Sequence, residues 1–164
     1  MIQTADEMAN APAFLQWCQN STLSQVVRHG AWTIPLIEIV HIAGVVLVFG
    51  SVLVTNLRLL GWMFASESSS ALAADLARST RLGLFLLIVS GPLLFFAMPV
   101  KLFTTRDFGV KLVLVTIAGV YYLAVHRKQM LDRDSSPAVR RSARISLALW
   151  LIAIAAGLEV GSFS

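Results

Sequence analysis

The chain has 164 residues, of which 57% are hydrophobic and 13% charged, against about 25% charged in a typical soluble domain. With a mean hydropathy of +0.75, lipid is its expected solvent and a single compact domain its expected size. The net charge of +4 does not point to nucleic acid, because the basic residues sit at the ends of hydrophobic segments, where a membrane surface accounts for them.

Met1 to Asn10, with Asp6 and Glu7, lacks the basic start and apolar run of a secretory signal, so the first span is expected to be uncleaved. From Pro12 the apolar residues Phe14, Leu15, Trp17, Cys18, Leu23, Val26 and Val27 follow a helical spacing that breaks near Asn20-Ser21, where Ser21 is placed to cap a second turn. Residues 1–32 therefore read as a periplasmic N-terminal segment of one or two short helices. They either lie in the membrane interface, with Trp17 and Trp32 at headgroup depth, or pack on the mouth of the bundle that follows. Cys18 is the single cysteine, which leaves no disulfide and no CxxC or CxxCH motif.

Residues 33–164 read as a four-helix transmembrane bundle, an all-α fold with spans at about 34–60, 82–100, 108–126 and 145–161. Span one, TIPLIEIVHIAGVVLVFGSVLVTNLRLLGW, has Pro35 in its first turn and Arg58 with Trp62 at its far end. It holds Glu38 and His41, three residues apart, so the carboxylate is expected to orient the imidazole. Gly44, Val45, Val48, Val52 and Thr55 continue that face as a strip of small residues that admits another helix or a flat ligand.

The segment after span one, ASESSSALAADLARS, reads as a polar loop with a short helix starting at Ser69 or Ser70. Span two is interrupted by Ser90-Gly91-Pro92, which predicts a kink, and Lys101 to Asp107 reads as a short loop. Span three carries Lys111 near its start and His126 at its end; span four contains Ala148, Ala153 and Gly157 for close contact and Glu159 near its end. The loops after spans one and three hold most of the arginines. By the positive-inside rule both termini face the periplasm across a bacterial inner membrane.

That orientation gathers Glu38, His41, Lys111 and Glu159 in the outer leaflet. At ~1.5 Å per residue His41 lies about 10 Å below the outer edge and His126 about 25 Å, too far apart to ligate one haem iron together. Three readings of the outer cluster stand side by side. In the first, it is a polar network that fixes helix register, and the protein binds no cofactor and acts as an accessory subunit of a larger membrane complex. In the second, His41 ligates haem b, the strip at Gly44 accepts the macrocycle, and Lys111 is second ligand or propionate partner; a membrane or periplasmic redox partner is then implied. In the third, His41 with Glu38 or Met98 binds copper. No phosphate loop, nucleophile elbow or zinc-protease spacing is present.

The succession AFLQWCQNSTLSQ, IPLIEIVHIAGVVLVFG, NLRLLG, SGPLLFF and KLVLVTIAGVYYLAVHR resembles a family of small bacterial four-span membrane proteins of unassigned function, over nearly the whole chain. More distantly, a histidine followed by glycine in span one and Lys-Leu opening span three are similar to HemJ-type protoporphyrinogen oxidases and to the membrane domain of copper-resistance protein D. The former similarity implies haem b and a functional pair at His41 and Lys111. The chain has Val48-Phe49-Gly50 where the HemJ type carries a tryptophan-containing stretch.

Overall fold

The computed structural model describes residues 11–63, 69–104, 106–123 and 136–162, and among these all regular secondary structure is helical, without strands. The helices are α1 (Ala13–Asn20), α2 (Thr22–His29), α3 (Thr33–Leu60), α4 (Ser69–Ala97), α5 (Pro99–Thr104), α6 (Arg106–Tyr121) and α7 (Pro137–Ser162). Two of them, α3 and the Ala74–Ala97 part of α4, are long and apolar enough to cross a membrane. Only 22% and 17% of their most apolar windows are buried, so these helices present most of their hydrophobic surface outward, unlike the core helix of a soluble domain. The described sixteen residues of α6 rise about 24 Å, short of the ~30 Å hydrocarbon layer. Helix α7 is longer, but its first two turns carry Arg140, Arg141 and Arg144.

Local chemistry accounts for the helix ends. Ser21 separates α1 from α2, its Oγ accepting from the Ser24 amide at 3.2 Å and donating to the Cys18 carbonyl at 2.6 Å. Helix α3 closes on Gly61, whose left-handed φ of 78° lets the Gly61 and Trp62 amides reach the Arg58 and Leu57 carbonyls, each at 3.0 Å.

Three expected boundaries are corrected. The helix expected to start at Ser69 or Ser70 does start at Ser69, but it runs on into span two as one helix, because Ala71 to Ala77 is rich in good helix formers and contains no breaker. Ser90-Gly91-Pro92 does not interrupt α4, which runs through Pro92 to Ala97. The expected loop at Lys101–Asp107 is largely helix α5, which starts at Pro99 after a bend at Met98.

The long helices associate in the order α4, α3, α7, α6. Helices α4 and α6 are not packed along their lengths, and meet through the stacked rings of Phe95 and Phe108, 6.0 Å apart. Hydroxyls in these apolar helices bond back to the carbonyl one turn earlier: Ser51 to Leu47, Thr55 to Ser51, Ser90 to Leu86 and Thr116 to Leu112. The N-terminal helices lie across the end where α3 and α6 begin. Leu15 and Ala11 pack on Val100 and Phe95, while Phe14, Trp17 and Trp32 stay exposed.

At the opposite end Leu59 and Leu60 of α3 bury against Val139 and Ala143 of α7, flanked by Tyr122 and Leu147. One turn further in, Asn56 Nδ2 donates to Ser146 Oγ at 3.3 Å, with Asn56 wholly buried. Asn56→Ala should lower thermal stability in detergent by about 1 kcal/mol, in keeping with interhelical side-chain bonds in apolar surroundings; an unchanged unfolding midpoint would show that the bond contributes nothing.

Candidate functional site

His41 projects from the third turn of α3 toward α4, half-buried on the side that continues through Gly44, Val48 and Val52. Across from it stands Ser90, only 1% exposed. Helices α3 and α4 run antiparallel, and Ser90 lies seven residues before the end of α4 while His41 lies eight after the start of α3. The two residues therefore reach the same depth, and His41 Nδ1 and Ser90 Oγ are 2.9 Å apart.

The direction of that bond follows from the serine. A hydroxyl has one proton, and Ser90 Oγ donates it to the Leu86 carbonyl at 2.6 Å. We therefore assign the His41 contact as Nδ1–H donating to a Ser90 lone pair. The neutral imidazole then keeps a free lone pair on Nε2, which makes no hydrogen bond among the described residues. A ligating histidine is typically held in this way, its other ring nitrogen donating to a fixed acceptor.

The remaining long helices complete the site. Gly91 lies beside the ring, such that a Cβ there would stand 3.8 Å from His41 Cε1. Lys111 of α6 is half-buried and runs along Gly157 of α7, where a Cβ would lie 3.5 Å from Lys111 Cε and 3.8 Å from Nζ. Its ammonium and the His41 imidazole are within Coulombic range of each other. No hydrogen bond or ion pair is made by Lys111 Nζ among the described residues. Side chains or backbone from all four long helices thus border two nitrogens that have no partner among the described residues.

Other sequence candidates take different places. Glu38 is exposed; at 3.6 residues per turn it lies about 60° round the helix from His41, enough at the edge of a helix pair to turn it outward. The partner of His41 is Ser90 instead. Gly44 is buried by α4: a Cβ there would meet the Gly83 carbonyl and Leu87 Cγ, both at 3.0 Å. The small-residue strip is a helix contact and leaves no room for a flat ligand at Gly44. Met98 is exposed in the bend after α4, eight residues beyond Ser90 and so about 12 Å along the axis from the histidine contact. Among the described residues no group of three or more His, Cys, Asp or Glu converges to hold a metal. His126 and the side chain of Glu159 lie outside the described residues.

Sequence reasoning passed over Ser90 and assigned it only to a kink. The available signal was its depth, which matches that of His41 once α3 and α4 are set antiparallel.

Comparison with curated proteins and with solved structures found no match to this chain, and no link to HemJ-type oxidases or to copper-resistance protein D is shown. A family model, described as a family of unknown function, DUF6644, matches residues 14–164; the chain belongs to that family.

Proposed function

We propose that this is a four-span inner-membrane protein that binds haem b at the His41 end of the bundle. The observation that carries the reading is a pair of half-buried nitrogens from different helices, His41 Nε2 and Lys111 Nζ, neither with a partner among the described residues. A purely structural network would satisfy both, since an unpaired polar group in apolar surroundings costs several kcal/mol, on the order of 2–7. The two have opposite requirements: the imidazole lone pair suits a Lewis-acidic metal, and the ammonium suits an anion. Haem b meets both, through its iron and a propionate.

In this reading His41 would hold the haem iron, and Ser90 would fix the imidazole's tautomer and orientation. Lys111 holds a propionate or serves as second ligand, Gly91 keeps the space beside the imidazole clear, and the loose α4–α6 side gives the porphyrin its entry. Bound haem would supply one-electron redox chemistry, with a membrane or periplasmic redox partner. Arg58, Arg140, Arg141 and Arg144 fall at the other end of the helices and Arg78 in the half of α4 away from Ser90, and by the positive-inside rule we read the His41 end and both termini as periplasmic.

The test is a reduced-minus-oxidised visible spectrum of protein purified in mild detergent, with metal content measured on the same sample. A b-type difference spectrum with about one haem per chain is expected. A colourless protein carrying copper, or neither copper nor haem, would overturn the assignment. Ser90→Ala should retain the fold while weakening haem retention about 10- to 100-fold, as loss of an outer-shell partner does elsewhere. Haem titration of the apoprotein measures this, and unchanged affinity would remove Ser90 from the site.

A further inference from the structure

The end of the molecule opposite His41 carries a second set of unpartnered groups, all of one sign. Pro137, Arg140, Arg141 and Arg144 line a shallow cavity, open to the surface, of about 310 Å³ at the start of α7. Arg140 and Arg144 are four residues apart and Arg141 and Arg144 three, so their guanidinium groups share one side of the helix. All three are exposed, and their side chains make no hydrogen bond or ion pair among the described residues. Arginines elsewhere are differently engaged: Arg28 donates to the Gln19 and Ser24 carbonyls and Arg81 to the Ala77 carbonyl.

Three like charges within two turns repel one another, and among the described residues no acid forms an ion pair with them. Immediately beyond Arg144 the helix turns apolar, and Ile145, Leu151 and Ile152 are exposed. A cationic cavity therefore adjoins an outward hydrocarbon face. We infer that this cavity binds the phosphate headgroup of an anionic phospholipid, whose acyl chains lie along α7. Guanidinium forks engage phosphate oxygens in pairs, and three of them favour a headgroup with more than one negative charge. The inference shares the membrane reading above but is independent of haem.

The full-length protein in nonionic detergent would be titrated with phosphatidylglycerol, diphosphatidylglycerol and phosphatidylcholine, and bound lipid counted by native mass spectrometry. Haem content on the same samples separates failure here from failure of the haem assignment. Wild type is expected to bind the two anionic lipids at least about tenfold more tightly than phosphatidylcholine. The variant R140K/R141K/R144K keeps the charge, and with it the insertion topology, but loses the paired geometry, and should lose most of that preference. The control R78K/R81K, on α4, should bind as wild type does. Equal lipid preference in wild type and R140K/R141K/R144K, or an equal loss in R78K/R81K, would overturn the site. Binding of inorganic pyrophosphate that anionic lipid fails to displace would overturn the lipid as its occupant.

Discussion

His41→Ala is expected to yield protein with less than about one-tenth of the wild-type haem content, since His41 Nε2 is the ring nitrogen that the described structure leaves free beside Lys111, on a half-buried histidine. The imidazole is only half-buried and its removal vacates a space already bordered by Gly91, so the variant should elute and fold as wild type does. Circular dichroism and elution volume check that separately from the haem spectrum. Lys111→Arg then distinguishes the roles open to the ammonium. If Lys111 holds a propionate, the arginine variant keeps haem and its spectrum; if it ligates iron, the variant becomes high-spin, because a guanidinium has no lone pair to offer. Haem retained by His41→Ala but lost by His126→Ala would show that the ligand had been misassigned.

The second large effect is expected at Gly83→Ala, which should destabilise the protein by about 1–3 kcal/mol or more through forced separation of α3 and α4. A Cβ at Gly83 would stand 2.8 Å from the Gly44 carbonyl and Val48 Cγ2 and 2.9 Å from Leu47 Cβ. The Gly44 oxygen and Leu47 Cβ cannot move without moving the helix. At Gly44→Ala the contacts are 3.0 Å or slightly longer and two of the three are to the Leu87 side chain, which can rotate, so the cost should be smaller. Gly50→Ala, with nothing within 4 Å, should be neutral or slightly stabilising as a helical glycine replaced by alanine. Thermal unfolding in detergent should rank the three in that order, and a Gly83→Ala midpoint equal to wild type would refute the close contact. Gly83 is two turns from Ser90 and Gly44 one turn from His41, so separation at this level should also loosen the His41–Ser90 bond and lower haem affinity.

Much of the helical layout was legible because an apolar chain has few options. Backbone groups that cannot reach water must bond within the segment, so a run such as Thr33–Leu60 is helical whatever packs on it. Ser21 and Gly61 marked helix ends through local chemistry alone. Where the sequence misled, the missing information was a neighbour. The residues from Ser69 to Arg78 suggested a short helix of their own, separate from span two, yet a helix already nucleated by Leu82–Ala97 extends back through alanines at little cost.

Helix rotation could not be read along the chain. Glu38 and His41 are about 60° apart on one helix, and either could have faced inward; only the seating of α4 against α3 decided that His41 meets Ser90 while Glu38 turns out. The same contact decided the use of Gly44, a small residue that serves a ligand or a helix equally well until a particular carbonyl, that of Gly83, occupies the space. The sequence by itself determined the all-helical character, two helices of membrane-crossing length and the bias of arginines toward the segments after spans one and three, because these depend on composition and on periodicity within a segment. The tertiary structure alone decided which polar atoms are partnered and which are left free, because hydrogen bonds between helices depend on relative depth and rotation, and no single segment encodes either.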